Sequence, residues 1–398
     1  MILNPFILLL ALYFTSNLLS ALLGVSMGGM ELENYYFDIL WTSFVSSFFM
    51  QVFFLAIFFL LYHKFNPISN LKVLMLGWRW GFVLIFIQVS YIVFNLIMEV
   101  NVAGSSKRLS GGSFLNYIFV LLQPDILFVV TSVLLVNSRL FWINVFIFII
   151  SFFLRGWMGG VFIGMIVVLI RYYPIKLSFV KAVYCSFLLI VIMALLPMLY
   201  DAKWAFRSNV SFDEFLHSIP ESFTVEKYQN SLGYLLNRFQ HVGHGAIIFE
   251  SANELHQNYD EGHFSSYWED GLPQAFYHKL SVDETKKYSL NFFLVSYFWG
   301  VENPTWNTNP GLTGWVFILN EYNVFLLLYI ILFIVVPQYY ISKYGGKKIS
   351  LVLSSFALVY LFHGWFGAYL NLMLYMVVIV TLLRTRVKTI QNSNGRCL

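Results

Sequence analysis

The sequence predicts an all-α polytopic membrane protein of about ten transmembrane helices with one large outer loop. Three observations carry that class. Hydrophobic residues make up 59% of the 398 positions and charged residues 11%, far from the balance of a soluble domain. The apolar residues are gathered into runs of about 14 to 25, comparable with the roughly 20 residues of helix needed to cross a hydrocarbon core of about 30 Å. A single long polar stretch, residues 200–311, interrupts those runs.

Taken in order, spans are expected near residues 5–23, 38–62, 78–98, 113–136, 140–154, 157–170 and 179–199, then 312–336, 349–363 and 366–383. The organisation is thus a bundle of about seven spans over 1–199, the loop 200–311, and further spans with a short tail over 312–398. The first run lacks a basic flank and an Ala-x-Ala site, so it reads as a retained span and not a signal peptide. The loop after it carries Glu31, Glu33 and Asp38 and no Lys or Arg, whereas the next carries Lys64 and Lys72. Positive charge favours the cytoplasmic side, which places the N-terminus inside. Alternation then puts Arg139, the stretch Arg171 to Lys181, Lys343 to Lys348 and the tail from Arg384 inside as well. None of the 20 acidic residues falls in a segment so assigned. The loop 200–311 therefore faces out, and both termini face in.

No inner segment is long enough to fold by itself, and neither a phosphate-cradling Gly-x-x-x-x-Gly-Lys-[Ser/Thr] loop nor a dinucleotide fingerprint occurs. Activated substrate must be made elsewhere. No cofactor is expected, and no nucleic-acid partner. A metal site is not expected either, because His241-Val-Gly-His244 lacks the acid of His-Glu-x-x-His and has no evident third ligand.

Within the outer loop, apolar residues at Tyr228, Leu232, Leu235, Phe239, Val242, Ala246 and Phe249 alternate by fours and threes, predicting one continuous helix. Arg238 and His241 would project together from it, one turn apart. Upstream lie Lys203, Arg207 and the capping pattern Ser211-Phe-Asp-Glu214, which predicts a short surface helix. Downstream, Tyr259, Phe264, Tyr267, Trp268, Asp270 and His278, then Trp299, Asn303, Trp306, Asn307 and Asn309, combine aromatic faces with polar groups. Such a mixture suits stacking on sugar rings and also suits an ordinary interfacial belt.

Charges inside the spans add candidates. Arg155, between two short spans, reads either as an anion clamp or as an anchor beside Trp157. Asp125, behind Pro124, reads either as the structural partner of Arg155 or as a catalytic group. Glu321, in the span after Asn309-Pro-Gly-Leu-Thr-Gly314, is expected beneath the loop as a base. His241 and His244 are further candidate bases, and His363, in the turn His-Gly-Trp-Phe-Gly367, is an additional one. Arginine forks match phosphate oxygens bidentately and can neutralise a departing pyrophosphate without a metal.

With Arg155-Gly-Trp-Met-Gly-Gly160 between two spans, Asn237-Arg-Phe239 in the loop, and Asn309-Pro-Gly-Leu-Thr-Gly-Trp-Val-Phe-Ile-Leu-Asn-Glu321-Tyr leading into the next span, the chain resembles the O-antigen polymerases (Wzy), which polymerise oligosaccharide repeat units at bacterial inner membranes. The resemblance implies a helical bundle of the kind shared by O-antigen polymerases and ligases. It also implies a metal-independent glycosyltransferase of lipopolysaccharide biosynthesis with its large loop in the periplasm. Its substrate would be an undecaprenyl-diphosphate-linked oligosaccharide, its surroundings the lipid bilayer, and its partners a chain-length regulator and a flippase. Arg155, Arg238 and Arg207 would hold the diphosphate, and Glu321 or His241 would take the acceptor proton. An O-antigen ligase of the same fold, with His241 or His244 catalytic, and a transporter of lipid-linked sugar are the alternatives.

Overall fold

The structure is a computed structural model and describes residues 2–33, 35–66, 74–98, 100–101, 114–157, 159–176, 178–207, 217, 219–271, 288–304 and 306–394. It is mostly helical, with five helices long and apolar enough to cross a membrane: Pro5–Met27, Trp41–Phe65, Trp78–Met98, Gly311–Gly345 and Phe366–Arg384. This is the fold of an all-α membrane protein. The other five expected spans coincide with helices of 9 to 17 residues, among them Phe114–Leu122, Pro124–Ser132 and Ser138–Leu154. The run near 113–136 divides because Gln123 takes a left-handed conformation (φ 36°) ahead of Pro124, which has no N–H to continue the ladder.

The chain folds as two compact units, one of Met1–Leu8 and Met75–Phe239, the other of Leu9–Leu74 and Gln240–Leu398. The division runs through the outer loop and not along its edges at 199 and 312. In the first unit the helices Trp78–Met98 and Ser138–Leu154 approach closely at Gly81, where any side chain would collide with Leu140. Asn144 ties them by donating to the carbonyls of Gly81 (3.2 Å) and Leu140 (2.7 Å) and accepting from Gln88 (2.7 Å). Such amide links hold helices together where the apolar effect between them is weak. Ile2–Leu3 pairs antiparallel with Ile175–Lys176.

In the second unit the central element is one that the loop reading did not foresee. The stripe from Tyr228 to Phe249 is not one helix: Val225–Phe239 ends, Gln240 and His241 leave the helical path, and Val242–Glu250 begins. Arg238 and His241 therefore do not share a helix, and they belong to different units. Residues Val242 to Ile248 are all buried. A helix buried along two turns belongs in a core, and this one packs against Trp41–Phe65 and Gly311–Leu319. Around it gather Ala21, Leu32, Ile39, Phe44, Val295 and Trp299. The helix Lys347–Phe362 is likewise buried throughout from Ile349. It is joined to Val336–Gly345 by Gln338, which donates to the hydroxyls of Ser354 (2.9 Å) and Ser350 (3.2 Å).

The long helix Gly311–Gly345 is broken by a 3-10 turn at Asn320–Tyr322 and a π segment at Ile331–Val335. Asn320 has φ 45°, ψ −112°, a sparsely populated conformation for a residue with a side chain. The Asn323 amide spans the break, donating to the carbonyls of Val316 (2.9 Å) and Asn320 (2.7 Å). Non-α turns inside a long helix tend to mark functional positions, and Glu321 lies in this one. The expected helix at Ser211–Glu214 and the expected contribution of His278 fall outside the described residues.

Candidate functional site

The second unit contains an open cleft of ≈ 590 Å³. Its floor is aromatic. Tyr267 packs edge-on to the buried Trp315 (5.5 Å between ring centroids) and to Tyr329 (5.1 Å), with Phe366 5.5 Å away. Asp270 fixes this segment by accepting from the Gly367 backbone N–H (3.0 Å). Gly367 lies so close to the Gly271 backbone that a side chain would collide with it. A capping box at Ser266 and Glu269 orders the wall, the Ser266 N–H donating to Glu269 at 2.8 Å. Trp268, beside it, lines the cleft and is 52% exposed. Burial, with Tyr259 nearby, pushes the Tyr267 hydroxyl up to about 12, so this floor stays neutral.

Asp260 is both a wall of the cleft and a partner of His256, whose Nε2 stands 3.6 Å from it and 3.8 Å from Glu321. The opposite ring nitrogen, Nδ1, lies 2.8 Å from the Ile318 carbonyl. A carbonyl can only accept, so Nδ1 carries a proton and Nε2 of the neutral ring is a lone pair between two carboxylates. That lone pair is placed to act as a proton acceptor. Glu321, expected as a base beneath the loop, is thus placed at an exposed rim (62%) together with His256 and Asp260. His256 was missed in the sequence because its decisive partner comes from another helix; the spacing His256-x-x-x-Asp260 on a helical stretch was the available signal.

His241 belongs to a different group. It is 1% exposed and neither ring nitrogen has a hydrogen-bond partner among the described residues. Its ring meets His363 edge-on at 4.3 Å, and His363 in turn hydrogen-bonds the Tyr13 hydroxyl (2.9 Å) and stacks on Trp365 (4.7 Å). The Asn17 side chain accepts from the His241 backbone N–H at 2.9 Å, bridging the break before Val242. Burial, with His363 and then His244 close by, holds His241 well below the usual imidazole range and keeps it neutral. His244, on the next turn, is buried beside Trp299. The structure therefore brings His241 and His363 together in buried positions, whereas a base for an incoming hydroxyl has to reach it. Gly311 makes the arrangement possible: its φ is +66° and an added side chain would stand 2.9 Å from the Phe362 carbonyl.

In the first unit, both outer nitrogens of Arg155 donate to Asp125, at 2.9 and 3.0 Å, while Nε donates to the Ser151 carbonyl (3.1 Å). Arg155 is 3% exposed and lies over the Phe152 ring (4.2 Å). Of the two readings of Asp125, the structural pairing is the one observed. The fork of Arg155 that a clamp needs is already engaged, so the diphosphate role expected of it is not what this geometry favours. Arg238 remains exposed at the end of Val225–Phe239, with its guanidinium 4.6 Å from the Tyr234 ring centroid. Arg207 ends the helix Leu196–Arg207, and its side chain is outside the described residues. Trp299 donates to the Leu32 carbonyl (3.3 Å), and Asn309 accepts from Trp365 (2.7 Å). Both are thereby committed to internal contacts and not to a sugar platform.

Among the described residues no group of three or more His, Cys, Asp or Glu is arranged to hold a metal ion. Compared with protein-family models, curated proteins and solved structures, the chain matches none.

Proposed function

We propose that the protein is a glycosyltransferase of the bilayer that polymerises lipid-linked oligosaccharide, moving a growing glycan from undecaprenyl diphosphate to the non-reducing sugar of a second lipid-linked unit. The observation that carries the reading is the cleft: an exposed indole face for a sugar ring, carboxylates that accept from hydroxyls, and beside them an imidazole lone pair held between Asp260 and Glu321. In the step, the acceptor hydroxyl gives its proton to His256 Nε2 and its oxygen attacks the anomeric carbon. The bond from that carbon to the diphosphate breaks, and undecaprenyl diphosphate leaves with the electron pair. The donor bond supplies the driving force, so no nucleotide is consumed. Of the arginines expected to meet the diphosphate, Arg238 retains an exposed guanidinium. The setting we propose is the bacterial inner membrane, with both termini cytoplasmic and 200–311 periplasmic.

The test is direct. Purified protein given only an undecaprenyl-diphosphate repeat unit is expected to yield a ladder of longer lipid-linked glycans, with chelator present and without nucleotide. Bond formation only after addition of lipid A-core replaces the polymerase with a ligase. Transfer of labelled substrate across a proteoliposome bilayer, with no bond formed in either mixture, refutes the enzyme reading.

A further inference from the structure

We infer that the cleft takes an uncharged or amine-bearing sugar and excludes one that carries a carboxylate or a phosphate; the inference rests on the saccharide reading above and adds the charge class of the substrate. The described walls include two carboxylates, Asp260 and Glu269, and no lysine or arginine. Two further carboxylates adjoin lining residues in the chain, Glu321 before Tyr322 and beside His256, and Asp270 after Glu269 and on the Gly367 N–H. Among the described residues, the imidazoles nearby face carboxylates: His256 faces Asp260 and Glu321, and His263 lies 3.6 Å from Glu261. The hydroxyls of the described wall, on Ser266, Tyr259, Tyr267 and Tyr322, are neutral hydrogen-bonding groups.

Carboxylates in an open aromatic cleft bind a sugar as acceptors for its hydroxyl or ammonium donors. The same groups repel an anion that has given up part of its hydration to stack on Trp268, so they discriminate against acidic sugars as well as attracting neutral ones. A diphosphate is excluded on the same ground. The cleft is consequently the place of the acceptor sugar, and the lipid diphosphate of the donor is held elsewhere.

Binding to the full-length protein in nanodiscs, read by tryptophan fluorescence and assigned to Trp268 with Trp268→Phe, tests this with three probes: trimers of N-acetylglucosamine, of glucosamine and of galacturonic acid. The first two are expected to bind. The acidic trimer is expected to bind about tenfold more weakly at low salt, the order of effect for two partly exposed like-charge encounters, with the gap closing several-fold at high salt as the screening length shrinks. Asp260→Asn should narrow the gap further, and the salt series on unaltered protein stands even where that variant folds poorly. If the acidic trimer binds as tightly as the neutral one, the charge selection is wrong while the saccharide reading survives. If none of the three binds, both fall together.

Discussion

Replacing Asp125 by leucine isolates the one buried ion pair among the described residues of the first unit. It leaves Arg155, 3% exposed, with Ser151 and a long contact to Tyr91 (3.4 Å) as its described polar partners, and surrounded by the rings of Phe152, Trp157 and Tyr91. Breaking a buried pair by removing one member costs about 3–5 kcal/mol. Because the Asp125 side chain is itself 31% exposed, water can reach the vacated place, and the lower end, about 3 kcal/mol, is expected. Replacing both members, Asp125→Leu with Arg155→Met, removes the charge along with its partner and should return stability to within about 1 kcal/mol of the parent. Unfolding by SDS titration of the solubilised protein reads these differences. Glycan ladders from cells carrying the double variant read function at the same time. A single variant as stable as the parent would refute the structural role of the pair. A stable double variant that makes no ladder would show that one of the two side chains acts on substrate, Arg155 as a clamp or Asp125 in the chemistry.

His256→Asn should lower turnover by about a hundredfold or more with normal expression, as loss of a general base does, and Glu321→Gln by less; full activity in His256→Asn removes it from the chemistry. His241 is held neutral in the folded state while its unfolded value is about 6.5. Its contribution is therefore fully present above that pH and is lost as the pH falls below it, by up to about 1.4 kcal/mol per pH unit. His241→Phe should flatten the acid limb of the stability curve, and an unchanged limb would assign it to other groups. Gly311→Ala, with φ +66° and the Phe362 carbonyl in the way, should destabilise by about 2 kcal/mol and lower the melting temperature, whereas a neutral result would mean that the turn has a second conformation. Single cysteines at Ser266 and Lys227 should label from outside the cell and one at Lys347 should not; labelling in the opposite sense reverses the proposed topology.

The long apolar helices were legible because length and composition alone fix them: Pro5–Met27, Trp41–Phe65, Trp78–Met98 and Phe366–Arg384 lie where apolar runs predict them. The break at Gln240 and His241 was not legible. A helical stripe continues straight through it, whereas the side chain of Asn17, from the first long helix, accepts from the His241 backbone N–H at the break. The buried role of Val242–Glu250 was equally hidden, since it sits between polar segments that read as an outer loop. The pairing of Asp125 with Arg155 was visible as one of two alternatives. The grouping of His256, Asp260 and Glu321 depends on an irregular turn at Asn320 whose conformation no local pattern announces.

The buried helix Val242–Glu250 also bears on how the chain is assembled. At nine residues it rises only about 14 Å, too short for an insertion machinery to treat as a crossing segment. Its neighbours Trp41–Phe65 and Gly311–Leu319 flank it on the ribosome's timetable, one synthesised long before it and the other well after. It therefore emerges before its pocket is complete and has to wait, its apolar residues uncovered, until Gly311–Leu319 arrives. A nascent chain arrested at Asn309 would expose this helix to quality-control proteases, and extending the arrest point beyond Leu319 would shelter it.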